Sequence, residues 1–305
     1  VSSAPTSREV PSPTAAPTGD VTVVVMSRDR RDELLATLPR HEAPVVLVDN
    51  ASTDGTVEAV RAAHPAVAVL PQRRNLGAAA RTVGVAAAGT PFVAFADDDS
   101  WWAPGDLARA VRIMRAHPRL AVLNARVLVG PEERLDPVCA EMARSPLGTP
   151  GDLPGPALLG FIACGALVRA DAFLAAGGFD PVVRFPGEEE RLALDLAAAG
   201  WGLAYVDSVT VHHHPSPRRH APAERQAAVW RSRLLTAAMR LPPPDVVRAV
   251  TEAARTGPGR TGLGRALPDL PAAVRRRRSL PPRVLDDLRV LAGRPRRQPA
   301  GRVRR

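Results

Sequence analysis

The sequence predicts an α/β protein built on a mixed, mainly parallel sheet flanked by helices. Three observations predict it. Short β-branched apolar runs alternate with helical stretches through residues 21–211, the pattern of strand–helix units. The runs are apolar throughout rather than alternating, as strands covered on both faces are. Polar and acidic residues then follow directly where the runs end, and such sheets bind ligands beyond the carboxyl ends of their strands.

The elements follow in order. Val21–Met26 reads VTVVVM and is a central strand. A helix is expected from Asp29 to Leu38, ended by Pro39. Pro44–Val48 is a second strand, running into the polar loop Asp49-Asn50-Ala51-Ser52-Thr53-Asp54-Gly55-Thr56 and a helix to His64. Ala66–Leu70 is a third strand. Asn75 and Gly77 open an alanine-rich helix, Ala78–Ala88. Phe92–Phe95 is a fourth strand, and it delivers three carboxylates in a row, Asp97, Asp98 and Asp99. Along an extended chain Asp97 and Asp99 project to one side and Asp98 to the other. Two carboxylates so close resist joint ionisation, and a hard divalent cation relieves the conflict. Asp is also common in turns and at helix N-caps, so the triplet alone does not separate a metal site from a solvated turn.

Beyond Pro104, Leu107, Val111 and Met114 recur at helical spacing as core residues. Leu120–Val129 is strand-like, and Glu132–Pro156 reads as a long surface loop, either a lid or disordered. Phe161–Val168 is a buried segment, Asp171–Ala176 a short helix and Gly177-Gly178-Phe179-Asp180 a tight turn. Gly187 precedes three glutamates, Glu188, Glu189 and Glu190, and a helix to Ala199. Acidic residues at a helix start complement its dipole; a general base gains from the same placement. Leu203–Val211 is a last strand, followed by His212-His213-His214, a plausible ligand group.

Composition bounds the partners. The 305 residues carry a net charge of +10, and every basic residue is Arg. Residues 1–216 hold 19 Arg against 25 acidic residues, whereas residues 217–305 hold 22 Arg against six. Basicity therefore belongs to the C-terminal stretch, and nucleic acid is not the expected partner of the main domain. Arg-rich tails are usually solvated or disordered; adhesion to anionic membrane lipid is the other role this charge would fit. No run of 18 apolar residues is present, so no transmembrane helix is expected. Two cysteines, Cys139 and Cys164, give no disulfide framework and no zinc spacing, which fits a reducing cytoplasm. Val1–Asp20 reads as a disordered leader, 21–216 as the main domain and 217–305 as a basic, partly helical extension with a disordered end.

Four landmarks together resemble the family-2 glycosyltransferases of GT-A fold, over about Asp20–Ser216. They are VTVVVMSRDR at Val21, VVLVDNASTDGT at Val45–Thr56, NLGAAARTVG at Asn75–Gly84 followed by FADDDS, and GGFD at Gly177 with GEEERLALDLAAAGW at Gly187–Trp201 and YVDSVTVHHH. The resemblance implies an inverting enzyme that moves a sugar from a nucleotide-diphosphate sugar to an acceptor hydroxyl, with Mg²⁺ or Mn²⁺ as cofactor. The acceptor would be a saccharide, a lipid-linked compound or a small molecule. It assigns Asp49 to the nucleobase and Arg28, Asn75, Arg81, Asp97 and Asp98 to the nucleotide sugar. It assigns Asp97, Asp99 and His213 to the metal, with His212 and His214 as neighbours. The family's base is the Asp of a Glu-Asp pair, and here Glu188-Glu189 stands in its place. Glu189 is the favoured base, with Glu188 and Glu190 as alternatives. Two competing classes are a nucleotidyltransferase, for which Met26-Ser27-Arg28-Asp29 lacks the Gly-rich loop, and a degenerate transferase scaffold that binds membranes or polyanions through its Arg-rich tail.

Overall fold

The computed structural model describes residues 18–215 and 222–293. The expected leader and the basic end of the chain lie almost wholly outside these residues, as does the boundary near 216.

Four parallel strands form one half of the sheet: β3 (Ala68–Pro71), β2 (Val45–Asp49), β1 (Val21–Ser27) and β4 (Phe92–Ala96), in that spatial order. β8 (Ala166–Arg169) then pairs antiparallel with β4 and with β6 (Leu120–Val129). β9 (Gly202–His213) runs parallel to β6, and β5 (Ser100–Trp102) closes the edge antiparallel to β9. The two-residue β7 (Arg134–Leu135) pairs with β6. The register sets Ser27 beside Asp49 and Val25 beside Ala96, so β1, β2 and β4 end together.

Alternate side chains of these strands serve two cores, as a sheet covered on both faces requires. On one face Val24, Val93 and Phe95 pack with Ala80 and Val85 of α3 (Ala79–Ala88), Phe173 of α6 (Ala170–Ala175) and Leu192 of α7 (Glu188–Ala198). On the other, Val23, Val25 and Ala94 pack with Leu34 of α1 (Arg31–Thr37), Val60 of α2 (Thr56–Ala63) and Leu107 of α4 (Asp106–Ala116).

Several elements differ from expectation. Pro39 does not stop the chain turning; a 3₁₀ turn continues through Leu38–Arg40. β5 forms straight after the acidic triplet, tied by pairing 110 residues away, which no local pattern announces. The histidines do not follow the last strand: His212 and His213 lie within β9, opposite Trp101 and Ser100. Glu132–Pro156 is not a bare loop. It holds β7 and α5 (Pro137–Met142), whose start is capped by Asp136 Oδ1 accepting from Val138 N–H at 2.8 Å, and it buries Cys139, Met142 and Leu153.

The C-terminal stretch is more helical than its composition suggests. It forms α8 (Pro222–Arg240), α9 (Pro243–Ala254), α10 (Gly257–Ala266), α11 (Leu270–Arg275) and α12 (Pro282–Leu291). Its prolines stand in the first turns of α9 to α12, where the missing N–H costs nothing. Leu234 and Leu235 of α8, Ala249 and Ala253 of α9, Ala266 of α10 and Ala273 of α11 make a third core with Val182 and Val183. Asp195 of α7 accepts from both Arg191 and Arg240, fastening this bundle to the sheet domain.

Candidate active site

The site lies at the shared carboxyl end of β1, β2 and β4. Asp49 ends β2 and is 2% exposed. Its Oδ2 accepts from Ser52 N–H at 3.1 Å, while Oδ1 is buried without a partner. A buried acceptor left unpaired costs ~1–3 kcal/mol, so this oxygen fits an external N–H donor. The loops around it are cross-braced: Asp29 Oδ1 accepts from Thr53 N–H at 2.7 Å, and Ser52 Oγ from Asp29 N–H at 2.9 Å. Asn50, unremarked in the sequence, is buried and pins the neighbouring loop. Its Oδ1 accepts from Leu76 N–H at 2.7 Å and its Nδ2 donates to Gly77 O at 3.2 Å. Asn75 is exposed and its Oδ1 accepts locally from Gly77 N–H. Arg28 is exposed, 3.4 Å from Asp29.

The three aspartates after β4 do separate tasks. Asp98 turns inward: its Oδ2 accepts from Ser27 Oγ at 2.8 Å, and its carbonyl from Thr37 Oγ1 at 2.8 Å. Burial pushes its carboxyl up to about 7, against the Ser27 hydrogen bond. Asp97 is held by Arg81, and its N–H donates to Ser100 Oγ at 2.8 Å. Asp99 Oδ1 lies 3.3 Å from His213 Nε2. His212 and His214 diverge from this pair. Both rings pack on Trp101, and His212 Nδ1 meets Glu133 Oε1 at 2.9 Å.

Asp97, His213 and Cys164 each bring one donor atom within 4.8 Å of the others. Carboxylate and imidazole donors suit a divalent ion such as Mn²⁺, and Asp99 adjoins the set through His213. Cys164 escapes sequence reasoning because neither cysteine has metal spacing; its only signal was lying within the buried run before β8.

Arg81 is the centre of the arrangement. It is 2% exposed on α3, bonded to Asp97 and 3.7 Å from Glu188 Oε1. One guanidinium therefore spans from the end of β4 to the start of α7. Glu188 is 1% exposed and neither oxygen is hydrogen-bonded. Burial, then the neighbouring Glu189 charge, pushes it up to about 8, opposed by Arg81. Glu189 is partly exposed; burial raises its carboxyl as well, with Arg81 and backbone hydrogen bonds opposing. Glu190 faces elsewhere, into a cleft of about 140 Å³ with Arg233, Arg248 and Leu288 of the C-terminal helices. The structure thus gathers Arg81, Asp97 and Glu188, with Asp99 and His213 as a second pair, and separates Asp98, Glu190 and His212.

Acidic and imidazole groups thus stand at the carboxyl edge of an α/β sheet, facing a carboxylate-bearing helix start, where such sheets bind ligands. Residues 22–175 match the model described as glycosyl transferase family 2, and the chain belongs to that family. An N-acetylglucosaminyl-diphospho-decaprenol L-rhamnosyltransferase of Mycobacterium tuberculosis (strain CDC 1551 / Oshkosh) is 31% identical over 206 residues, 56% of this chain and 66% of that protein. The chain thus matches just under two thirds of that relative's length. Among solved structures, the mannosyltransferase PcManGT from Pyrobaculum calidifontis in complex with GDP-Man and Mn²⁺ superposes with a TM-score of 0.55 at 21% identity, over 97% of this chain and 79% of that one. S. aureus TarS 1-349 in complex with UDP-GlcNAc gives 0.54 at 16% identity, over 87% and 82%. These likenesses establish the GT-A fold.

Proposed function

We propose that the chain is an inverting glycosyltransferase that moves a sugar from a nucleotide-diphosphate sugar to an acceptor hydroxyl. The observation that carries this is the buried Arg81, which links Asp97 on the donor side to Glu188, the neighbour of Glu189. The nucleobase donates an N–H to Asp49 Oδ1. The ribose and diphosphate lie along Arg28, Asn75 and Asp97, with Asp98 holding the loop from beneath. Asp97, Asp99 and His213 would hold Mg²⁺ or Mn²⁺, with Cys164 adjoining; when bound, the ion supplies charge neutralisation for the diphosphate.

Glu189 takes the proton of the acceptor hydroxyl. The acceptor oxygen so freed attacks the anomeric carbon from the face opposite the nucleotide, and the bond from that carbon to the diphosphate oxygen breaks, the nucleoside diphosphate leaving. A single displacement inverts the anomeric centre. Glu188, fully buried, cannot reach an acceptor; it is a positioning residue that backs Arg81. The relative named for a diphospho-decaprenol compound supports a lipid-linked saccharide as acceptor.

The test pairs turnover with calorimetry. A panel of nucleotide sugars with Mn²⁺ is screened by thermal shift, since a ligand at 100 times its Kd adds about 2.7 kcal/mol of apparent stability. With the donor so found, Glu189→Gln should leave its Kd unchanged and lower kcat by roughly 10²–10⁴-fold. A normal kcat would remove Glu189 from the chemistry.

A further inference from the structure

The end of α10, a 3₁₀ turn at Leu267–Asp269 and α11 form one nearly continuous ridge on the C-terminal bundle. Its two sides are sharply different. Ala266 and Ala273, seven residues apart, are buried against α8 and α9. Leu267, Leu270 and Val274, at i, i+3 and i+7, face outward with exposures of 64%, 38% and 53%. Pro268 and Pro271 are exposed beside them. These three large apolar residues lie on the outside of the turn and α11, and none belongs to the bundle's core.

The same stretch of chain is strongly basic. Residues 255–278 contain seven arginines and one acidic residue, Asp269. Asp269 is already engaged by Arg231 and lies 3.6 Å from Arg184. Arg277 donates to Ala238 O and Leu241 O, and Arg276 lies 3.6 Å from Asp180. Arg275 and Arg278 are exposed and, among the described residues, have no acidic partner. An apolar stripe flanked by unneutralised arginines matches the interface of a bilayer with anionic headgroups, where leucines enter the acyl boundary and guanidinium groups meet phosphates. Nucleic acid would explain the charge but not the apolar stripe, and the experiment below tests a protein partner through self-association.

We propose that the Leu267–Arg278 ridge is the surface by which this protein docks on an anionic membrane. The ridge is also wired to the candidate site. Arg231 donates both to Asp269 and, at 3.0 Å, to Val182 O. Ser232 Oγ donates to Arg184 O at 2.7 Å. Val182–Arg184 leads directly into Gly187 and Glu188, so the docked ridge and the start of α7 are held as one piece. A lipid-linked acceptor, in the function proposed above, would then be presented on the side of Glu189.

The experiment is vesicle co-sedimentation of the full chain. Phosphatidylglycerol-containing vesicles are compared with pure phosphatidylcholine, alongside the variants Leu267→Gln/Val274→Gln and Arg275→Gln/Arg278→Gln. All four positions are exposed, so circular dichroism and Tm should match the parent. The parent should bind anionic vesicles and not neutral ones. The leucine–valine variant should lose about tenfold or more in partitioning, and the arginine variant should lose affinity most at low salt. Nucleoside-diphosphate affinity should not change in either, which separates failure of docking from failure of the proposed activity. Equal partitioning of parent and variants would overturn the proposal, as would variants that leave vesicle binding intact but abolish self-association or RNA binding.

Discussion

Gly84 offers the strictest test of how the sheet positions the site. It lies in the middle of α3, three residues after Arg81, where the helix presses on β1 and β2. A Cβ built there would stand inside the Val24 Cγ1 methyl, 3.0 Å from Val48 Cγ2 and 3.2 Å from Val24 Cγ2. These are short β-branched side chains in central strands, so they cannot swing aside. Two effects oppose each other in Gly84→Ala. Helix propensity favours alanine by about 1 kcal/mol. Overpacking of a fixed core costs ~1–3 kcal/mol, and contact with two valines belongs at the upper end. The net expectation is a loss of about 1–2 kcal/mol, or roughly 2–3 °C in Tm for a chain of this size. The helix relieves the clash by lifting, and Arg81 lifts with it. A misplacement of about 1 Å at a positioned group can cost ~10²-fold in rate, so kcat/KM should fall well beyond what the Tm explains. Urea denaturation and donor turnover measure the two separately. Val24→Ala in the same chain should restore both, because the pair is in direct contact and non-additive. A Gly84→Ala protein with raised Tm and normal turnover would refute the close-packing account of α3.

Two further outcomes follow from single residues. Asp49→Ala should weaken nucleoside-diphosphate binding by roughly 5- to 150-fold, the equivalent of ~1–3 kcal/mol for a buried acceptor losing its donor; unchanged calorimetric affinity would clear Asp49 of base contact. His41 has both ring nitrogens without partners, and burial pushes its pKa down to about 4. The unfolded chain, with an ordinary value near 6.5, therefore takes up the proton first. Stability from this site is complete above about pH 6.5 and is lost as pH falls to about 4, by an amount on the order of 3 kcal/mol. His41→Leu should flatten the urea midpoint over that window; an unaltered pH profile would assign the acid sensitivity to other groups.

β1 and β2 were legible because each is a run of buried β-branched residues, and β4 because it is a short, fully buried apolar run, each bounded by turn chemistry. β6 is legible for the same reason. Asp49 and Asp97 could be placed at strand ends by that alone. What was not legible depends on distant partners. β5 is three residues long and exists only through β9. α5 is six residues, too short to display a helical period. The C-terminal bundle hides for a compositional reason: its interior is largely alanine, with Gly262 packed where a Cβ would meet Trp230 Cβ at 2.6 Å. Mean hydropathy undervalues such a core, and prolines that start helices look like prolines that break them. The resemblance assigned Asp98 to the nucleotide sugar; in the structure the chain turns at Asp98 and Asp99, the Asp98 carboxyl accepts from Ser27 Oγ and its backbone carbonyl from Thr37 Oγ1.

The charge arithmetic of the buried site bears on why two glutamates stand where the family's resemblance expects Glu-Asp. Arg81 supplies one positive charge and Asp97, bonded to it, one negative. A second ionised carboxylate at Glu188 is disfavoured first by burial and then by the adjacent Glu189, with Arg81 opposing, and its pKa rises to about 8. Glu188 thus resists ionisation while standing 3.7 Å from the guanidinium. Burial raises the Glu189 carboxyl too, but Glu189 is partly exposed, so in the proposed mechanism it is the member of the pair with a path to an acceptor, and its extra methylene extends its reach from α7. In the proposed mechanism the two neighbours divide the work by environment rather than by residue type: the buried one holds Arg81 against Asp97, and the accessible one takes the proton.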